Sequence, residues 1–165
     1  MAAETNADPV REAVVFRLGG QSYALPIEAV QEIQQIVAMT DVPETAQGVI
    51  GMVNLRGDIV PAVDLRRVLG METREFGLQT PMVISRLGGS LVALVVDEVE
   101  DVAVLPEGCV QDAGEFLELA DRLIGLCRLD TDLIFLLDPD RLLARDARTT
   151  EEQKPRKRRT RKKAE

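Results

Sequence analysis

The chain has 165 residues, no histidine, two cysteines and a formal net charge of −8. That length describes one domain, or two small lobes sharing a core, and it buries enough surface to fold without staples. Without an imidazole there is no histidine base, no histidine metal ligand, no phospho-acceptor histidine and no Ser-His-Asp triad.

Hydrophobic residues make up 45% of the chain but aromatics only 3%, namely Phe16, Tyr23, Phe76, Phe116 and Phe135. Val, Leu, Ile and Ala must therefore fill the core, and clustered β-branched residues favour strands. Met1 to Arg11 is polar and acidic, without the apolar run of a signal peptide. Residues 1–12 are expected to be disordered. The longest apolar run, Leu91 to Val96, is too short to cross a bilayer. The expectation is a soluble, cytoplasmic protein.

The first predicted element is a hairpin over residues 14–25. Two apolar runs flank Gly19-Gly20, and both turn positions can take positive φ. An acidic segment, Glu28 to Ile33, follows. A second hairpin is predicted from Ile50 to Leu65, with its turn at Arg56-Gly57-Asp58. Asp64 then sits where a helix N-cap belongs, and a short helix over Leu65 to Leu69 should stop at Gly70.

The pattern then begins again. Val83 to Leu94 can be laid on Val14 to Leu25, with Arg86-Leu87-Gly88-Gly89 over Arg17-Leu18-Gly19-Gly20. Asp97 to Val102 matches Glu28 to Ile33. Gly114 to Arg122 reads as a short amphipathic helix or a loop. Ile124 to Pro139 matches Ile50 to Leu65, with its turn at Asp130-Thr131-Asp132. Asp138 repeats the cap, and a second short helix is expected from Pro139 to about Arg145. Such a duplication, with short strands at this spacing, predicts two small barrels packed together.

Cys109 and Cys127 form neither a CxxC pair nor a zinc spacing. Both have apolar neighbours, so two buried free thiols are expected rather than a bridge. Acid pairs such as Asp97-Glu98 and Glu100-Asp101 point to opposite faces of a strand and do not converge on an acid–base site. There is no P-loop and no GxSxG. No enzyme activity, metal, cofactor or small-molecule substrate is expected.

Charge is divided sharply. Residues 1–150 carry 12 Arg and no Lys against 25 acids, a net of −13. The eight remaining basic side chains are Lys154, Arg156, Lys157, Arg158, Arg159, Arg161, Lys162 and Lys163. Such a run repels itself, so residues 149–165 are expected to be a disordered tail. Three readings of it stay open: an arm for nucleic acid, an arm for an acidic lipid or protein surface, or a solubilising tail with no fixed partner. No aromatics interleave, so base stacking is not supported.

The stretch from Asn54 to Arg66, Asn-Leu-Arg-Gly-Asp-Ile-Val-Pro-Ala-Val-Asp-Leu-Arg, resembles the signature of the CheW family. Leu25-Pro26-Ile27, Val30 to Ile33, Val42-Pro43, Gly48 to Gly51 and Leu94 to Val99 resemble its flanking segments, so the likeness covers about residues 13–145. The resemblance implies a mainly β fold: two five-stranded SH3-like barrels with short helices, in one CheW-like domain over residues 13–148. The lobes would run roughly over 13–70 and 80–145, with strands free to exchange between them.

The resemblance also implies a non-catalytic adaptor between a chemoreceptor signalling tip and the regulatory domain of a CheA-type histidine kinase, at receptor arrays. In that reading Arg56 is the coupling arginine, and Asn54 and Gly57 belong to the same coupling set. Glu32 and Val30 line a receptor groove, and Val92 and Val99 are its apolar positions on the second lobe. Gly51 stands beside it, and Glu98 and the Met82–Arg86 strand lie near a kinase-facing surface. For Arg56 an internal pair with Glu32 is an equal alternative to direct receptor contact. For each of the three valines simple core burial is the alternative. The basic tail departs from the family pattern and leaves open a tether to nucleic acid or an acidic partner.

Overall fold

The computed structural model describes residues 10–42, 48–114 and 118–143. The early hairpin of the first half is β1 (Glu12–Leu18) and β2 (Gln21–Pro26), turning on Gly19 and Gly20 at φ +59° and +85°. A one-turn 3-10 helix, Ile27–Ala29, leads into β3 (Val30–Gln35). The late hairpin is β4 (Val49–Leu55) and β5 (Asp58–Asp64), followed by α1 (Leu65–Val68). Asp64 caps α1 as expected, accepting from the Arg66 amide at 3.1 Å.

The second half repeats this order. β6 (Pro81–Leu87) and β7 (Ser90–Val95) turn on Gly88 and Gly89 at φ +59° and +90°, and β8 (Glu98–Val104) follows. Then come β9 (Val110–Gln111), a 3-10 turn at Ala120–Arg122, and the late hairpin β10 (Leu123–Leu129) and β11 (Asp132–Leu137). The bulges repeat as well. Ile50 in β4 and Ile124 in β10 are both skipped by the pairing, as are Gln31 in β3 and Glu100 in β8.

The strands form two sheets, in the orders β8-β1-β2-β11-β10-β9 and β3-β6-β7-β5-β4. Each sheet draws on both halves of the chain. β1–β2 of the first half lies in one sheet with β10–β11 of the second, joined by a parallel β2–β11 ladder. β6–β7 lies with β4–β5, joined by a parallel β5–β7 ladder. β3 and β8 cross over, pairing with β6 and β1. The two ends of each sheet are consecutive in sequence, β3 and β4 in one and β8 and β9 in the other. The fold is mainly β, as expected.

Alternation along the strands builds three cores. Leu18, Leu25, Leu65, Leu94 and Leu137 belong to a cluster shared by the two sheets. Met82, Ile84, Ala93 and Val95 face the interior of the five-stranded sheet. Ala24, Cys127, Ile134 and Leu136 face that of the six-stranded sheet. Both faces of the central strands are therefore buried, which is why β7 reads as an unbroken apolar run.

Three expectations are corrected. Cys109 and Cys127 form a disulfide, with Cα atoms 5.4 Å apart, because β9 is laid beside β10. The two-residue β9 ladder also gives one sheet six strands rather than five. Residues 139–143 form turns held on Asp138 instead of a helix, with the Leu142 amide donating to the Asp138 carbonyl at 2.9 Å. Residues 144 and 145 of that predicted helix lie outside the described residues. Gly114 to Arg122, read as a short helix or a loop, has a 3-10 turn at Ala120–Arg122 and no other helix among its described residues.

Candidate functional site

The signature stretch builds the β4–β5 hairpin, and its turn places Arg56 at the tip. Arg56 takes φ +51° and Gly57 φ +95°, a pair of left-handed residues that suits a two-residue hairpin. Gly57 meets that requirement without strain, whereas Arg56 adopts it at a cost. Asn54 braces the turn, its Oδ1 accepting from the Gly57 amide at 2.9 Å. The Arg56 side chain is left 68% exposed.

It does not point freely into solvent. Its Nη1 donates to Glu32 Oε1 at 3.3 Å, and its Nη2 pairs with Glu32 Oε2. Glu32 belongs to β3, at the opposite edge of the same sheet, so this two-pronged pair clasps one edge strand to the tip of the other edge hairpin. The Arg56 guanidinium holds the Glu32 carboxyl below the usual carboxylate range, and Glu32 in turn raises Arg56. The clasp is an exposed, fixed charge pair with guanidinium N–H donors to spare. It offers recognition and no proton to transfer.

The bulge at Gln31 sets Val30 opposite Ser85 and Glu32 opposite Ile84. Val30 thereby packs against the core shared by the sheets, while Glu32 shares a face with the interior of the five-stranded one. The matching bulge at Glu100 sets Val99 opposite Phe16 and Asp101 opposite Val15. Val30 and Val99 are equivalent positions, and both half-bury against the shared core. Val92 is 5% exposed and belongs to that core outright. The structure thus joins Arg56, Glu32, Asn54 and Gly57 in one clasp and turns the three valines toward the core shared by the sheets.

Gly51 is placed by contact rather than by the clasp. A Cβ there would meet Met39 Sδ at 2.9 Å and the Thr40 carbonyl oxygen at 3.1 Å. Met82 to Ser85, expected near a partner-facing surface, are each 0% exposed in the interior strand β6, so only Arg86 of that stretch is exposed. The tail residues Lys154 to Lys163 lie outside the described residues.

One cluster has no signal in sequence spacing. Asp97, in the connection between β7 and β8, accepts from Arg66 Nε at 2.9 Å and Nη2 at 2.6 Å, from the Gly19 amide at 2.8 Å and from Arg74 Nη1 at 3.1 Å. Arg66 also donates to the Glu72 carbonyl at 2.8 Å. Arg66 foremost, with Gly19 and Arg74, holds Asp97 below its ordinary range. Burial pushes neighbouring Asp64 up. Asp97 thus bolts α1 and the β1–β2 turn to the point where the chain passes from one sheet to the other.

The CheW-like domain family matches residues 12–147. The chemotaxis protein CheW of Klebsiella aerogenes is 34% identical over 136 residues, covering 81% of this chain and 82% of that protein. Protein FrzA of Myxococcus xanthus is 28% identical over 105 residues, 64% of this chain and 66% of that protein. The crystal structure of the scaffolding protein TtCheW from Thermoanaerobacter tengcongensis superposes with a TM-score of 0.75 at 27% identity, covering 82% of this chain and 93% of that one. Its fold is the SH3-like arrangement expected here. With the signature stretch forming the clasped hairpin and the match spanning nearly the whole described body, the chain belongs to the CheW-like domain family.

Proposed function

We propose that this protein is a non-catalytic adaptor that couples chemoreceptors to a CheA-type histidine kinase in a chemotaxis signalling pathway, from the cytoplasmic side of the membrane. The observation that carries the reading is the Arg56–Glu32 clasp, built by the family signature on the strand that also carries Val30, which half-buries against the shared core. Receptor tips are helical hairpins, and a helix docking into a groove needs apolar anchors with a few polar clamps. Val30 and Val99 supply the anchors, Val92 the floor beneath them, and Arg56 a planar donor head for a receptor carboxylate or carbonyl.

The acids that could have suggested catalysis are engaged elsewhere. Asp97 holds Arg66, Glu100 pairs with Arg17, and Asp101 accepts from the Val102 amide. No helix among the described residues is long and apolar enough to cross a membrane. The kinase-regulatory domain and the receptor tip are the two partners this reading requires.

The test is a reconstituted receptor–kinase assay. Arg56→Glu places like charges across the clasp but touches no buried residue. It keeps the circular dichroism of the parent and loses receptor-dependent kinase activation. Undiminished activation by the folded variant would remove Arg56 from the coupling site. Glu32→Arg combined with Arg56→Glu restores the clasp with reversed polarity. Recovery of activation in the double variant would assign Arg56 an internal role, and continued loss would assign it a direct receptor contact.

A further inference from the structure

We infer that the Cys109–Cys127 disulfide is a reversible redox site, and that its reduction by a dithiol unlatches the cover strand β9 from the edge of the six-stranded sheet. The molecule carries its own comparison. Each sheet has a late hairpin whose outer strand, β4 or β10, is covered by a short preceding segment. On β4 the cover is a single bridge, in which the Thr40 and Met52 amides donate to each other's carbonyls at 2.9 Å. On β10 it is β9, with Gln111 opposite Leu126 and Val110 opposite Cys127.

Met52 and Leu126 are equivalent positions in the repeat. So are Gly51 and Gly125, and each glycine admits the close approach of its cover. Val53 stands where Cys127 stands, and both are 1% exposed. The cover on β4 is thus seated by hydrogen bonds, a glycine and the packing of Met39 against the sheet's core, with no covalent bond. The same fold holds its cover without a covalent bond, so the bond on β10 is an addition to the architecture rather than a requirement of it.

The two sulfurs differ in access. Cys127 is buried among Ala24, Ile134 and Leu136, while Cys109 is half-buried in the turn before β9. A dithiol reductant's thiolate therefore attacks Cys109 Sγ. The Cys109–Cys127 bond breaks, and its electron pair leaves on Cys127 Sγ, which takes up a proton. The reductant's second thiol, deprotonated, displaces Cys109 as a thiolate that is protonated in turn. The reductant leaves as a disulfide. Two electrons and two protons have moved, and the reverse reaction relatches β9. Freed of its staple, β9 is held, like its counterpart on β4, by a short ladder and side-chain packing without a covalent bond. β10 then becomes an exposable sheet edge.

The test uses the full-length protein. Digestion of alkylated, unreduced protein yields a peptide linking Cys109 to Cys127, and a dithiol converts it to two alkylatable thiols. Amide exchange at Val110 and Gln111 then rises by about tenfold or more, while that at Met39 and Thr40 stays constant. Cys109→Ser shows the faster exchange with or without reductant. Two free thiols after incubation with a disulfide oxidant would overturn the proposal. So would unchanged exchange at β9 on reduction, or equal acceleration at both covers.

Discussion

Asp97 accepts four hydrogen bonds, two from Arg66 and one each from Gly19 and Arg74. The Arg66 side chain is 9% exposed and that of Asp97 19%, so the pair is substantially withdrawn from water. Removing one charge of such a pair leaves the other without compensation. Asp97→Asn should therefore cost roughly 2–4 kcal/mol at neutral pH, read from urea unfolding by circular dichroism. Its pH dependence has a definite sign. The folded carboxyl titrates below the unfolded one, so in acid the unfolded chain binds more protons and stability rises with pH. The Asp97 contribution is complete above the unfolded value of about 3.9 and is lost as pH falls through the folded one. Asp64, raised chiefly by burial, acts oppositely: acidification through its titration favours the folded state. The gap between Asp97→Asn and the parent should be widest at pH 7 and close in acid. A gap that stayed constant down to pH 2 would mean that the charge of Asp97 is not what stabilises.

At the scale of elements, the covers on β4 and β10 make a graded pair. A Cβ on Gly125 would run into the Gln111 carbonyl, a backbone atom that cannot move without lifting β9. A Cβ on Gly51 would press first on Met39 Sδ, the flexible part of a side chain. Gly125→Ala should therefore cost about 2–3 kcal/mol and Gly51→Ala about 1 kcal/mol, since overpacking is relieved where the neighbour can turn away. Urea midpoints of the two variants check the order. The order should hold in reduced protein too, because the clash is with backbone and not with the disulfide.

The whole molecule is held by a core common to the two sheets. Leu94 belongs to it at 0% exposure, whereas Met82 and Leu136, also at 0%, face one sheet's interior each. Truncation of any of the three to Ala should cost about 2–5 kcal/mol. Because β3 and β8 cross between sheets, neither sheet can unfold and leave the other whole. Leu94→Ala should lower a single transition with equal calorimetric and van't Hoff enthalpies. Two resolved transitions would show that the sheets are independent.

Much of this was written locally. The paired Gly-Gly turns, the Arg56-Gly57 and Asp130-Thr131 turns, and the Asp64 cap rest on residues whose backbone preferences act within four positions, so the repeat was legible without a structure. The clasp was half legible: a pair between Arg56 and Glu32 stood as one of two alternatives, and the closure of β3 against the β4–β5 tip forms it. Tertiary structure decided the rest. The β2–β11 and β5–β7 ladders, the Asp97 bolt and the Cys109–Cys127 bridge join residues that the sequence holds 18 to 112 positions apart. Nothing in local spacing encodes such meetings. They arise because short duplicated hairpins cannot bury both faces alone, so each half completes the other's sheet.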